Sequence, residues 1–362
     1  MKNIRKKTVH DFLNLFDRFI NESASGKRMQ KNGKKLAKGS VDNYRYIKIL
    51  LSDFVQVKNF ELRIKDIHKL NKRELDTEKN YWKKFYRKFS DYLYNDLNLF
   101  DNTAGGAFKI IRVFFNYLNN ECGLNTGSFH KSFYVHKENI QILVLRPEQL
   151  QFLISNKEFE DRLSYRLKRT KDIFVFGCTV ALRISDLMNL NESNLEIINN
   201  KYYLRVVSKK THTFTRVKLP DYAVEILTKY RKKNKPLLPR IGVANLNKNI
   251  RLLAEAAAWT QPCFKLRNRR GIATTIYKNT KMKEPYRFCD LISSHTMRRT
   301  AITTMLCLGM SEMVVRKISG HSPNSVEFFK YVELSQSYMD KEVEKVHEFL
   351  REKGKAAIET FA

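Results

Sequence analysis

The sequence of 362 residues predicts a mainly α protein with a small antiparallel β-sheet: an N-terminal helical bundle followed by an α+β domain. Three observations carry this. Apolar residues recur with a period near 3.6 through the first part of the chain. All seven prolines lie at or after Pro147, so the first 146 residues have none to break a helix. One pair of β-rich runs, Lys201–Ser208 and Phe214–Pro220, interrupts the later helical stretches. The length suits two domains, and 43% hydrophobic with 12% aromatic residues is ample for packed cores, which excludes wholesale disorder.

In chain order, Phe12, Leu13, Phe16, Phe19 and Ile20 form one apolar stripe. Val41, Tyr44, Ile47, Leu51 and Phe54 form a second, with Ser40 expected as its N-cap. Tyr81, Trp82, Phe85, Phe89 and Leu93 mark a third helix, and Phe108, Ile111, Phe114, Phe115 and Leu118 a fourth. A basic loop, Lys27 to Lys35, separates the first two helices and is expected to meet phosphates. The expected divisions are a helical domain over 1–125, a linker over 126–146, an α+β domain over 147–335 and a helical tail over 336–362. Within the second domain, helices are expected at 147–155, 163–180, 221–233, 244–258, 295–309, 311–319 and 324–334. The five residues Lys209 to Thr213 fit the turn of a hairpin. The tail carries a stripe of Tyr338, Val343, Val346, Phe349 and Leu350, which could pack on its own chain or on a neighbouring copy.

Charge narrows the function. The chain holds 68 Lys+Arg against 37 Asp+Glu, a formal net charge of +31. Residues 1–130 carry 26 basic and 14 acidic side chains and the remainder 42 and 23, so the excess spans both halves. Such a balance on a folded chain points to a polyanionic partner, nucleic acid before membrane. No apolar run approaches the roughly 18 residues of a membrane span. Five scattered cysteines without a CxxC pair argue against a disulfide framework, and no His/Cys spacing fits a metal site, so neither metal nor cofactor is expected. A cytoplasmic setting follows. A second basic stretch, Arg267-Asn268-Arg269-Arg270-Gly271, is expected to contact the DNA backbone.

Five scattered pieces carry chemistry together: Ala181-Leu182-Arg183-Ile184-Ser185-Asp186, the hairpin turn with Lys209-Lys210, Ser294-His295-Thr296-Met297-Arg298-Arg299, Gly320-His321, and Tyr331. In this order the chain resembles the tyrosine recombinases, or phage integrase family, over roughly 147–335; the helical first part is similar to that family's SAM-like core-binding domain. The resemblance implies a DNA breaking-rejoining catalytic domain. The expected catalytic residues are Arg183, Lys210, His295, Arg298, His321 and Tyr331.

The chemistry accounts for each residue type. The transition state of phosphodiester cleavage concentrates negative charge on non-bridging oxygens, and two guanidinium forks, Arg183 and Arg298, can grip them without a metal. His295 and Arg298 stand at i, i+3, on one face near a helix N-terminus; His295 could also shift a proton. His321, released by Gly320, would bond the phosphate or the attacking oxygen. Tyr331 is the expected nucleophile, with Tyr338 the alternative. The departing 5′-oxygen needs a proton, which Lys210, or else Lys209, could deliver from the hairpin tip. Asp186 could orient a basic partner or lie on the surface.

The resemblance further implies a 3′-phosphotyrosine intermediate and a homo-tetramer on double-stranded DNA passing through a Holliday junction. It also implies two domains gripping opposite faces of a duplex, accessory DNA-bending proteins, and a nucleoid-associated setting in a bacterial cell. Only about eight residues precede the first helix, so the additional N-terminal arm-binding domain of larger members is expected to be lacking here or to have been cut away. Integration, excision and inversion all fit this chemistry. A type IB topoisomerase and a non-catalytic DNA-binding regulator on the same fold are the rival readings.

Overall fold

The computed structural model describes residues 9–30, 32–209, 213–232, 235–322 and 325–335, and within the tail 340, 343–345, 347–348 and 351. Lys210, Tyr338 and most of the tail stripe lie outside the described residues. The chain divides into two compact units. One comprises Met1–Ile140 with Lys265–Ile276; the other comprises Gln141–Phe264 with Tyr277–Ala362.

The first unit begins with β1 (Val9–Asp11) and α1 (Phe12–Ser25), which Asp11 caps by accepting the Asn14 N–H. α2 (Lys38–Lys58), β2 (Arg63–Lys65), α3 (Lys72–Asp91) and α4 (Asp101–Asn120) follow, and β1 pairs antiparallel with β2. The four predicted stripes face one core built largely from rings. Phe12 meets Phe114 at 4.9 Å and Trp82 meets Phe115 at 4.8 Å, both edge to face, the arrangement that ring quadrupoles favour. Fully burying each such side chain is worth roughly 1.5–3 kcal/mol.

Ser40 is not the cap of α2. The N-cap is Ala37, which has no side-chain cap bond, and Ser40 lies in the first turn. Leu36 and Val41, at the two positions of a hydrophobic staple, both pack on the core, so apolar contact sets the entry of this helix. In the basic loop, Arg28 bonds Glu121 and covers the Phe19 ring at 4.9 Å, whereas Lys27, Lys34 and Lys35 remain exposed.

After α4 the chain returns across that helix. A Cβ at Gly105 would overlap the carbonyl oxygen of His136, so only glycine admits this close approach. The strap ends at Glu138, whose buried carboxylate holds the returning hairpin of Lys265–Arg269 and Ile272–Ile276. Arg267 Nε and Nη2 donate to Glu138 Oε1 at 3.0 and 2.7 Å, and the Asn268 N–H donates to Oε2. At the turn, the N–H groups of Arg270 and Gly271, both at positive φ, converge on the buried Asp101 carboxylate. Arg267 and Arg269 lie against Phe100, and Arg270 pairs with Asp91. The stretch expected as a DNA-contacting loop is therefore a hairpin whose arginines are engaged by acids and rings of its own unit.

The second unit holds α5 (Pro147–Ser155), α6 (Lys157–Arg162), α7 (Tyr165–Val180) and α8 (Ile184–Leu187). The antiparallel sheet β3 (Leu195–Ile198), β4 (Lys201–Val207) and β5 (Phe214–Lys218) comes next. α9 (Asp221–Tyr230), α10 (Val243–Ala256), α11 (Phe288–Leu291), α12 (Ser294–Cys307), α13 (Glu312–Ser319) and α14 (Val326–Glu333) complete it. α7 is buried on nearly all sides, from Ile173 through Val180, and serves as the central post on which α5, α9, α10 and α12 pack. The strand pair falls where its alternating pattern predicts, in register Leu204↔Val217. β3 adds a third strand that the sequence reading did not include.

Candidate functional site

The site assembles at the end of α7. That helix stops at Ala181, fully buried and in the left-handed region (φ 54°), a conformation that costs a residue with a Cβ roughly 1–2 kcal/mol. The turn it makes sends Arg183 to the N-cap of α8. Arg183 Nη1 donates to Ser208 Oγ at 3.1 Å, and Ser208 Oγ donates to Asp186 Oδ2 at 3.0 Å. The other oxygen of Asp186 accepts the Lys209 N–H at 3.2 Å. Asp186 is buried rather than a surface acid. It ties the base of the β4–β5 turn to the helix carrying Arg183, so the chain entering that turn starts beside the arginine. The Lys209 side chain is exposed, and Lys210 falls outside the described residues.

α12 opens with a capping box: Ser293 and Thr296 satisfy one another's backbone donors. His295 stands exposed in the first turn. Arg298 turns inward, its Nη1 donating to the Ala181 carbonyl at 2.8 Å and its Nη2 lying 3.2 Å from Nε2 of His321. Burial first, and then the neighbouring positive charge of Arg183, pull the Arg298 pKa down to about 10. Among the described residues, neither Arg183 nor Arg298 forms an ion pair with a carboxylate.

α13 ends at Gly320, left-handed at φ 64°, where the His321 N–H closes onto the Arg316 carbonyl at 3.0 Å. A Cβ at Gly320 would meet Thr215 at 3.5 Å and Thr213 at 3.6 Å, ordinary contact distances, so the left-handed backbone rather than space is what favours glycine here. His321 is held neutral: burial, then the charges of Arg298, Arg183 and Arg316, push its pKa down to about 3. The ring of Tyr331, half-buried on α14, lies 5.9 Å from the His321 ring. Arg316 braces α14 by covering Phe328 at 4.1 Å and Phe329 at 5.0 Å. It is itself held by Glu312 and donates to the Ser322 carbonyl.

Arg183, Arg298, His321 and Tyr331 thus meet around the end of α7, with Asp186 and the hairpin base beside them. His295 sits three residues before Arg298 on the exposed side of the same helix. Sequence reasoning missed Ser208, Arg316 and Ser319. Each acts through a contact distant along the chain or through a single buried hydroxyl, and no spacing pattern marks that. An open cleft of about 870 Å³ lined by Leu190, Glu192, Lys235 and Arg240 shares no residue with this cluster.

Among families, the model described as the phage integrase family matches residues 144–337. Three solved structures share the fold. A XerH site-specific recombinase bound to palindromic difH substrate, a post-cleavage complex, is 12% identical. It covers 93% of this chain and 94% of its own, with a TM-score of 0.58. A lambda integrase tetramer bound to a Holliday junction is 12% identical over 89% and 81%, with a TM-score of 0.56. The Tn1549 transposon integrase in complex with circular intermediate DNA is 14% identical over 88% and 94%, with a TM-score of 0.52. At these identities the likeness is one of fold. No curated protein matches the sequence.

Proposed function

Because the chain belongs to the phage integrase family and is a site-specific tyrosine recombinase acting on DNA, we propose that Arg183, Arg298, His321 and Tyr331 form its cleavage centre. The observation that carries this is a pair of half-buried guanidinium groups, neither of which forms an ion pair with a described carboxylate. A charge withdrawn from water is retained at such a cost when an anion is to meet it. A backbone phosphate supplies that anion.

In this reading Arg183 and Arg298 hold the non-bridging oxygens. Tyr331 attacks phosphorus, giving a 3′-phosphotyrosine and a free 5′-hydroxyl. Lys210, or Lys209 beside it, protonates the departing oxygen, and His295 stands at the mouth of the site to bond the phosphate or shift a proton. The bond energy is kept in the intermediate, so rejoining requires neither a nucleotide nor a metal. We further propose four protomers on two sites exchanging strands through a Holliday junction, in a mobile element of a bacterial cell. The chain's basic excess serves backbone contact.

A suicide duplex nicked beside the cleavage point tests this reading. The wild-type protein should become covalently attached, Tyr331→Phe should not, and Tyr338→Phe should remain attached. An adduct that survives in Tyr331→Phe would sink the assignment. Relaxation of arbitrary supercoiled DNA without recombinant products would mark a topoisomerase instead.

A further inference from the structure

Ser208, the residue that follows β4, is 5% exposed and is bonded on two sides. A guanidinium N–H only donates and a carboxylate oxygen only accepts, so the place of the single hydroxyl proton is forced. Ser208 Oγ accepts from Arg183 Nη1 at 3.1 Å and gives its own proton to Asp186 Oδ2 at 3.0 Å. Asp186 Oδ1 accepts the Lys209 N–H at 3.2 Å. The backbone of the same serine closes the hairpin, its N–H donating to the Thr213 carbonyl at 3.0 Å. One residue therefore meets the arginine, the acid of α8 and the far end of the turn. Bonding one of the five guanidinium donors to a neutral hydroxyl fixes the plane of Arg183 without neutralising its charge. Lys209 and Lys210 follow at one and two residues, so the chain from Ser208 to either spans no more than about 7 Å.

We propose that Ser208 is a positioning residue that couples the phosphate grip of Arg183 to the reach of the hairpin lysine. One hydroxyl then sets both the charge that steadies the transition state and the donor that protonates the departing 5′-oxygen. This rests on the cleavage centre assigned above. Asp186 anchors the relay on α8, and Ser208 passes that anchor to the arginine on one side and to the turn on the other. Such placement matters because a misplacement of about 1 Å costs on the order of a hundredfold in rate. A serine that served the arginine alone, or the turn alone, would differ in what an altered substrate restores.

The test uses the full chain and two altered suicide duplexes. In one, sulfur replaces the bridging 5′-oxygen of the cleaved phosphate; a thiolate departs without a proton, so the lysine acid is no longer needed. In the other, a methyl group replaces one non-bridging oxygen; the neutral methylphosphonate demands less of a guanidinium. Lys209→Ala, Lys210→Ala and Arg183→Ala calibrate the two. Ser208→Ala should slow single-turnover attachment to the ordinary duplex by on the order of tenfold or more, with duplex affinity within about twofold of wild type. Each altered duplex should restore part of that loss, and a duplex with both changes should bring the variant within about twofold of wild type. Ser208→Cys keeps the volume but offers only a weak acceptor, so it should repeat the pattern and guards against a packing defect. Full recovery on either singly altered duplex would overturn the coupling, because the serine would then serve one group only. So would no recovery on any of the three, or attachment of both variants to the ordinary duplex at the wild-type rate. Should Tyr331→Phe still form the adduct, the cleavage centre fails and the proposal with it. That result is read with Ser208 intact, which separates it from a failure of the coupling.

Discussion

Replacing Arg298 by methionine should make the protein more stable while abolishing DNA cleavage. The guanidinium is largely withdrawn from solvent beside Arg183, and its pKa falls from the ordinary arginine value to about 10. A shift of that size corresponds to roughly 3 kcal/mol against the charged form. Methionine keeps the length and apolar bulk of the stem and removes the charge. Against this gain stands the bond from Nη1 to the Ala181 carbonyl, which at 2.8 Å from a charged donor contributes about 1.5–3 kcal/mol. The balance favours the variant by about 1 kcal/mol. For a domain of this size that raises the melting temperature by about 2–4 °C.

The pH dependence follows from the direction of the shift. Below a pH of about 9 the arginine is protonated in both the folded and unfolded states, so the penalty is present in full. It fades only as the pH rises through the folded pKa toward the ordinary arginine value, and the difference between wild type and variant should be flat from about pH 7 to 9. Inorganic phosphate should close the gap, because an anion between Arg183 and Arg298 stabilises only the wild type. Thermal melts by circular dichroism, with and without phosphate, measure both effects. A variant less stable than wild type at every pH, with phosphate acting equally on the two, would refute the view of an uncompensated charge pair.

Acid should destabilise the fold through two histidines, buried His130 and half-buried His321. His321 is pushed down to about 3, and His130 to about 4 by burial and then by Arg112 and Lys131, so the unfolded chain takes up protons before the folded one does. Stability from both is complete above about pH 6.5 and is lost as the pH falls toward those values. Urea midpoints followed against pH should show a shallower acid slope in His321→Gln and in His130→Gln; an unchanged slope in both would contradict it. In the first unit, Glu138→Ala strands the half-buried Arg267 and frees the returning hairpin. This should cost about 3–5 kcal/mol. Limited trypsin digestion should then cut at Arg267, Arg269 and Arg270, and an unaltered cleavage pattern would count against the carboxylate clasp.

Much of this protein was legible in its residues alone. The apolar stripes from Phe12 to Leu118 mark the faces that α1 to α4 bury. The alternation of Thr215, Val217 and Leu219 marks the sheet, and the ordered spacing from Arg183 to Tyr331 marks the chemistry, because periodicity and order are local properties of a chain. Other features depend on partners far away in sequence. The stretch from Arg267 to Gly271 reads as a basic loop, since its run of charge with asparagine and glycine does not show the β-branched and aromatic pattern of a strand, although it lies in a hairpin. Only packing set Glu138 and Asp101 beneath that hairpin. Only packing buried Asp186 under Ser208, and only packing turned the Ser319 hydroxyl toward His321 rather than toward water. Helical period and motif order follow from covalent spacing. Whether a charge is neutralised, and what a buried hydroxyl or imidazole meets, depends on what the fold brings within hydrogen-bonding distance of it.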